Sequence, residues 1–132
     1  IIGDTAILIS KIIYIKENSK KDFIIVDAAM NDFIRPALYG AEHKIIPLKK
    51  TNKMINKIYD FVGPICETTD KFLSIKSYQK LNERDNVVIC DVGAYGKVLS
   101  SNYNLRTSPK EILIKNSKVF RIRKRETLQN II

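Results

Sequence analysis

The sequence lacks the patterns that most metal, phosphate and nucleophile sites require. No metal-ligand spacing, phosphate-cradling glycine loop or nucleophile elbow occurs among its 132 residues, so we expect no metal site. Its one histidine, His43, has no serine or cysteine at a suggestive spacing, which favours a structural role. The two cysteines, Cys66 and Cys90, could form one disulfide at most. That is too few for a secreted disulfide scaffold and indicates a reducing cytoplasm.

Long hydrophobic runs are also missing. No apolar stretch approaches the ~20 residues that a membrane-spanning helix needs, so we expect no membrane partner. The first stretch, residues 1–15, is interrupted by Asp4 and Lys11 and has no basic lead-in, which argues against a signal peptide. The chain opens on Ile1 rather than Met, and we therefore expect it to be the inside of a longer protein.

The composition that is present describes an ordinary folded domain. Hydrophobic residues make up 45% of the chain and charged residues 28%, a balance that excludes intrinsic disorder. A chain of this length suits one domain, spanning residues 1–132, and buries roughly two thirds of the surface of its unfolded state.

The net charge of +9 raises the possibility of nucleic-acid binding, because clustered Lys and Arg neutralise phosphates. The excess, however, is mostly lysine scattered along a chain rich in Ile and Asn, a mixture that codon bias also produces. The densest basic segment, residues 121–125, alternates around Ile122 and is typical of an exposed strand face. We expect no nucleic-acid partner, and a basic β-barrel that binds nucleic acid remains the alternative from another functional class.

The hydrophobic pattern predicts a mainly β domain of about seven short strands, arranged as a barrel or a sandwich. Residues 28–41 predict a structured loop with a helical turn, and residues 69–84 a loop with at most one short strand. Residues 127–132 suit a C-terminal helix, although six residues cannot hold a helix without tertiary contacts. β-branched and apolar runs predict strands at 6–16, 22–26, 44–48, 57–62, 86–92, 111–115 and 118–124, with hairpins joining the first two and the last two.

One segment places a thiol and a carboxylate side by side. In Gly-Pro-Ile-Cys-Glu, residues 63–67, Cys66 and Glu67 follow a proline that fixes φ and a glycine that reaches unusual conformations. Taken singly, a cysteine among apolar neighbours such as Cys66 is usually part of the core, and Glu67 is explained as a solvated loop acid. Together they suit a proton donor beside a carboxylate that binds an ammonium group.

A second set of residues suits the binding of an anion. Arg35 and Tyr39 lie four apart with Pro36 between them and would form a carboxylate clamp, because Arg offers a planar fork of donors and Tyr adds a hydroxyl. The alternative is a surface arginine and a core tyrosine. Tyr95 lies between Gly93 and Gly96, which let the backbone approach a ligand closely.

These segments resemble those of one family, the diaminopimelate decarboxylases, which are fold-type III pyridoxal-phosphate enzymes that make L-lysine from meso-diaminopimelate. The matching blocks follow the family's order and spacing, and they are residues 24–41, 62–68, 91–96 and 100–104, followed by Arg106. The resemblance implies that the chain is the C-terminal β-barrel domain of such an enzyme. The family's other domain, a TIM-type barrel, lies outside this sequence.

The resemblance also implies roles for the candidate residues. Arg35, Tyr39 and Tyr95 match substrate-contacting positions, and Tyr95 also touches the pyridoxal 5'-phosphate cofactor. Glu67 matches an acid that reaches the distal end of the substrate from the neighbouring subunit. Cys66 matches the cysteine that donates a proton after carbon dioxide leaves. Because Cys66 and Glu67 act across the subunit interface in that family, the resemblance implies a homodimer.

Departures from the family's pattern limit these expectations. Ornithine and arginine decarboxylases have Asp after the corresponding cysteine, so Glu67 favours diaminopimelate, and a decarboxylase of the ornithine or arginine type is the alternative. Thr68 and Thr69 stand where the family usually has Ser-Gly, and the next segment, residues 70–72, is one residue longer. The catalytic lysine and the phosphate site belong to the TIM-type barrel. We therefore expect the 132-residue chain alone to be inactive.

Overall fold

The computed structural model describes residues 2–132, which form two sheets joined by loops and short helical turns. Within these residues there is one α-helix of five residues, α1 (Arg35–Tyr39), and there are 3-10 turns at Gly3–Thr5, Tyr103–Leu105 and Leu128–Asn130. The strands are β1 (Leu8–Lys16), β2 (Lys21–Val26), β3 (Ile45–Pro47), β4 (Met54–Val62), β5 (Lys71–Gln79), β6 (Asn86–Ile89), β7 (Glu111–Lys115) and β8 (Lys118–Arg123).

The larger sheet has six strands in the order β3-β6-β1-β2-β4-β5. Its pairs are antiparallel except for β2 and β4, which run parallel with Phe23 opposite Asp60. β1 and β2 form the predicted hairpin, and β7 and β8 form the second predicted hairpin as a separate two-stranded sheet. The prediction of a mainly β domain with a barrel is therefore confirmed.

Side chains hold the two edges of the six-stranded sheet together. Tyr78 on β5 donates a hydrogen bond from its hydroxyl to the Ile45 carbonyl on β3, at 2.9 Å. Its neighbour Gln79 donates to the Lys49 carbonyl at 2.9 Å and accepts from the Thr51 N–H at 3.4 Å. The Tyr78 bond joins the first and last strands of the sheet, and the Gln79 bonds join β5 to the loop that follows β3, so the sheet forms a nearly closed barrel. Burial raises the pKa of the Tyr78 phenol, so it remains a donor.

The barrel interior is filled by alternate residues of the strands. On β2, Asp22, Ile24 and Val26 are buried while the residues between them are half-buried. Phe61 and Tyr78 pack edge to face with ring centroids 5.5 Å apart. Burying a side chain of the size of Ile24 or Phe61 contributes about 1.5–3 kcal/mol.

Two sequence-based predictions are wrong in detail. Residues 69–84 hold the nine-residue strand β5 rather than a loop with one short strand. No period of two marks β5, because buried Phe72 and half-buried Leu73 lie side by side and Ser77 has a φ of 60°. The C-terminal segment forms a single 3-10 turn instead of a helix, closed by a capping box between Thr127 and Asn130.

No helix within residues 2–132 is long and apolar enough to cross a bilayer.

Candidate functional site

Helix α1 places Arg35 between two aromatic rings. Pro36 occupies the first turn, where its missing N–H is not needed, and Gly40 ends the helix with a φ of 63°. The guanidinium carbon of Arg35 lies 5.6 Å from the ring centroid of Tyr39 and 5.8 Å from that of Tyr95. Both rings are mostly exposed, at 62% and 60%. The structure therefore brings these three predicted site residues into one group with its aromatic surface open to a ligand.

The loop that holds Tyr95 is compact. Tyr95 has a φ of 63°, a conformation that is unusual for a bulky side chain and is typical of functional sites when the surroundings maintain it. The chain turns tightly here, since the Leu99 N–H donates to the Tyr95 carbonyl at 3.1 Å. A Cβ on Gly96 would overlap the Val92 carbonyl, so the turn requires glycine at this position.

The loop with Cys66 and Glu67 joins β4 to β5 and is held by a buried carboxylate. Asp70 accepts hydrogen bonds from the Ile65 N–H at 2.8 Å and from the Met30 N–H at 2.7 Å. Burial raises the pKa of Asp70, while the bonds from Ile65 and Met30 lower it, and the net change is upward. A single side chain thus fixes this loop against the segment that leads to Arg35.

Glu67 has a partner that its sequence position does not reveal. The Tyr103 hydroxyl donates to Glu67 Oε1 at 2.6 Å. The hydrogen bond and the negative charge of Glu67 raise the pKa of Tyr103, so the phenol remains protonated. Cys66, next in the chain, is an exposed free thiol. Glu67 is exposed as well, so both side chains are accessible from solvent.

Arg106 attaches the segment around Tyr103 to the segment before α1. Its Nε donates to Asn31 Oδ1 at 2.8 Å, and its guanidinium lies 3.5 Å from Asp32 Oδ2. Backbone pairing adds to this contact, since the Ser101 N–H donates to the Asn31 carbonyl at 2.9 Å. Burial raises the pKa of Asp32, although its bond from the Ala29 N–H and the nearby Arg106 charge oppose the change.

The predicted site residues fall into two groups within one copy of the chain. The Arg35 guanidinium contacts both Tyr39 and Tyr95, whereas Cys66 and Glu67 lie on the β4–β5 loop, where Glu67 accepts a hydrogen bond from Tyr103. In the part of the chain that the structure describes, no hydrogen bond or ion pair joins the two groups directly. Asp70 connects their backbones through Ile65 and Met30.

Sequence reasoning missed the structural roles of Asp70 and Tyr103. Asp70 lies at the start of a segment predicted as a loop, so nothing marked it as a buried anchor. Tyr103 belongs to the matching block at residues 100–104, but no pattern links it to Glu67.

His43 has the structural role that its sequence context favours. Its Nδ1 lies 3.0 Å from the Cys90 carbonyl, and its ring packs edge to face on Phe33 with centroids 4.6 Å apart. Among residues 2–132, no three His, Cys, Asp or Glu side chains cluster closely enough to hold a metal ion.

Comparison with known proteins shows which family the chain is similar to. Residues 3–93 match the model of the pyridoxal-dependent decarboxylase family, C-terminal sheet domain. The chain is 43% identical over 129 residues to diaminopimelate decarboxylase of Haemophilus influenzae, covering 98% of this chain and 31% of that protein. It is 41% identical over 132 residues to the Aquifex aeolicus enzyme of the same name, covering 100% and 31%. The chain thus spans about a third of the length of these relatives.

Solved structures give the same result. Diaminopimelate decarboxylase from Helicobacter pylori, complexed with L-lysine, superimposes with a TM-score of 0.89 at 39% identity, covering 98% of this chain and 32% of that one. The enzyme from M. jannaschii gives 0.92 at 36% identity, covering 98% and 29%. Lysine decarboxylase from Selenomonas ruminantium gives 0.69 at 21% identity, covering 81% and 28%, which is a likeness of fold alone.

The described residues do not by themselves form a site for pyridoxal phosphate. Tyr95 presents one exposed phenol, and its neighbour Arg35 presents one guanidinium. Neither the cavity lined by Lys49, Lys53 and Lys80 nor the one lined by Pro36, Thr69 and Leu73 has Tyr95 or Arg35 in its wall. The chain therefore offers one edge of such a site at most.

Proposed function

The chain belongs to the pyridoxal-dependent decarboxylase family, as its C-terminal sheet domain, and from this premise we propose that it forms part of an enzyme that converts meso-2,6-diaminopimelate to L-lysine and carbon dioxide. The observation that supports this proposal most strongly is the match along 98–100% of the chain to diaminopimelate decarboxylases at 41–43% identity. A related structure with L-lysine bound, the product of the proposed reaction, adds to it.

Recognition of the distal carboxylate falls to Arg35 and Tyr39. Within residues 2–132, Arg35 makes no ion pair with a side-chain carboxylate, so its donors are available to a ligand. The two tyrosine rings hold the guanidinium plane by cation–π contact, and Arg presents two parallel N–H groups to a carboxylate. Tyr95, whose exposed ring also lies against the Arg35 guanidinium, would contact both the substrate and the cofactor.

Glu67 binds the distal ammonium group, and Cys66 donates the proton to the carbon that has lost carbon dioxide. Both residues act in the site of a second copy of the chain, so the functional unit is a homodimer. Within residues 2–132 of one copy, no hydrogen bond or ion pair joins the two groups, which supports an arrangement in which another copy supplies one of them.

Pyridoxal phosphate would supply the electron sink on which amino-acid decarboxylation depends, and it would be held mainly by the rest of the polypeptide. The residues of this domain bind the carboxylate and the ammonium group at the distal end of the substrate and donate a proton. Leaving either charge unpaired in a closed site is costly, which provides discrimination against shorter or less charged amino acids. Cys66 and Cys90 are both free thiols, and we place the enzyme in the reducing cytoplasm.

An ornithine- or arginine-type decarboxylase is the alternative within the same chemistry. Glu67 and the sequence identities favour diaminopimelate. The lysine/ornithine decarboxylase from Vibrio vulnificus is 18% identical to this chain, against 36% and 39% for the diaminopimelate decarboxylases from M. jannaschii and Helicobacter pylori.

The test is carbon dioxide release by the polypeptide produced at the full length of its relatives, with pyridoxal phosphate added. We expect release from meso-diaminopimelate and little from ornithine, abolished by Cys66→Ala and weakened by Glu67→Ala. Cys90→Ala, which changes a half-buried cysteine elsewhere, serves as the matched control and retains activity. Release of carbon dioxide from ornithine alone would contradict the proposal that diaminopimelate is the substrate. Release from neither compound would contradict the proposed decarboxylase function.

A further inference from the structure

The Glu67 carboxylate has one hydrogen-bond partner in the part of the chain that the structure describes. That partner is the Tyr103 hydroxyl, 2.6 Å from Oε1. Oε2 is left to take a cation from outside this copy of the chain. A hydrogen bond to an ionised carboxylate is short and about twice as strong as one between neutral groups, so it holds the acid in one rotamer.

Tyr103 lies on a platform formed by residues 102–106, which is held by hydrogen bonds. It opens a 3-10 turn in which Asn104 and Leu105 have φ values of 58° and 55°. The turn is closed by the Asn102 side-chain amide, which donates to the Arg106 carbonyl at 2.9 Å. Arg106 then fixes the platform to Asn31 through its Nε at 2.8 Å.

Two loops, each anchored on residues 30–32, are therefore joined by the hydrogen bond between Tyr103 and Glu67. Asp70 fixes the backbone of the Glu67 loop through the Ile65 N–H, and Arg106 fixes that of the Tyr103 loop. The side chains of Glu67 and Tyr103 are exposed, so solvent would let the Glu67 carboxylate sample several rotamers without this bond. The bond replaces that freedom with one orientation.

We propose that Tyr103 is a positioning residue for Glu67, which it orients so that the carboxylate selects substrates by their distal ammonium group. The inference rests on the proposed function and deepens it. Tyr103 acts through Glu67 alone and makes no contribution to binding the distal carboxylate, which falls to Arg35.

The test uses Tyr103→Phe in the full-length enzyme, which removes the hydroxyl and keeps the ring. We expect KM for meso-diaminopimelate to rise about tenfold with kcat changed less than about threefold, because the lost bond is to a charged group that binds substrate. The inhibition constant of L-lysine, which has the distal ammonium, rises by a similar factor. The inhibition constant of 2-aminopimelate, which has the distal carboxylate and no distal ammonium, stays the same.

A double-variant comparison separates positioning from general damage to the loop. In a Glu67→Gln background, Tyr103→Phe should have little further effect on KM, since the residue that it positions no longer carries the charge. Tyr14→Phe is the matched control, because Tyr14 is 55% exposed and its hydroxyl makes no hydrogen bond within residues 2–132.

The outcomes distinguish the inference from the function beneath it. Suppose that the wild-type enzyme releases carbon dioxide from diaminopimelate. If Tyr103→Phe then weakens the binding of lysine and of 2-aminopimelate equally, or weakens the binding of neither, the inference is overturned and the proposed function stands. Additive losses in the double variant overturn it as well. If the wild-type enzyme releases none, the proposed function fails and the inference fails with it.

Discussion

The carboxylate of Asp70 occupies the space that a side chain at Gly63 would need. A Cβ built on Gly63 overlaps both carboxylate oxygens of Asp70, while the Gly63 N–H donates to the Asp70 carbonyl at 3.0 Å. These two residues stand at the two ends of the loop that presents Cys66 and Glu67. The loop keeps its shape because Gly63 at one end has no side chain, which leaves room for the hydrogen-bonded carboxylate of Asp70 at the other end.

Gly63→Ala should therefore destabilise the domain and displace the candidate site together. We expect the free energy of unfolding to fall by about 1–3 kcal/mol, because the added methyl group must push away a buried carboxylate that holds two N–H groups. Chemical denaturation of the full-length enzyme measures the change, and decarboxylase activity should fall with it. Gly3→Ala is the control, since a Cβ there meets nothing within 4 Å, and an equal loss in both variants would contradict the account.

Tyr78→Phe tests how the barrel is closed. Removing the hydroxyl leaves the Ile45 carbonyl without its donor from the opposite edge of the sheet, and a lost bond of this kind costs about 1–2 kcal/mol. Thermal unfolding should show a lower Tm for this variant than for Tyr14→Phe, whose hydroxyl has no partner to lose. An unchanged Tm would mean that the contact between β3 and β5 contributes nothing to stability.

Arg35→Lys tests the binding of the distal carboxylate. Lysine keeps the positive charge but loses both the planar fork of donors and the contacts that the guanidinium makes with the Tyr39 and Tyr95 rings. We expect kcat/KM for diaminopimelate to fall on the order of 100-fold, since a bidentate charged contact is lost. Lys20→Arg, a change on the polar turn between β1 and β2, should leave the kinetics unchanged. Wild-type kinetics for Arg35→Lys would remove Arg35 from the site.

Acid should destabilise the barrel through Asp60. Burial alone would raise the pKa of this carboxyl, but hydrogen bonds from Lys21, Ser74 and Lys71 outweigh it and lower the pKa below its usual range. Lys21 Nζ lies 2.7 Å and Lys71 Nζ 3.2 Å from the carboxylate. The stabilisation is present above the pKa of unfolded aspartate, about 3.9, and is lost as the pH falls through the lower folded value.

The corresponding measurement is the free energy of unfolding from about pH 6 down to about pH 2, which extends below the pKa of unfolded aspartate. Asp60→Asn should be less stable than the wild type at neutral pH and should lose less stability on acidification. Asp4→Asn, which alters an exposed aspartate, should follow the wild type at every pH. Parallel curves for wild type and Asp60→Asn would contradict the account.

Local chemistry explains which features the sequence predicts. Pro36 and Gly40 mark the ends of α1, and Gly63 marks the loop that presents Cys66 and Glu67, because these residue types allow few alternatives. Alternating or continuous apolar runs likewise predict β1, β2 and both strands of the second hairpin. Contacts between distant segments are not predicted. Glu67 and Tyr103 are 36 residues apart, and their hydrogen bond depends on how Arg106 docks on Asn31. The strand β5 was missed because its apolar residues lie on both faces.

Subunit complementation tests the central claim most directly, namely that this domain contributes two separate groups to diaminopimelate decarboxylation at a site shared between copies. Full-length Arg35→Ala and Cys66→Ala chains with different tags are co-expressed, and carbon dioxide release from meso-diaminopimelate is compared with that of each variant alone. Each variant alone should be inactive, whereas the mixture should recover about a quarter of wild-type activity, because half of randomly paired dimers contain one intact site. Activity no higher than that of the single variants would contradict the shared site.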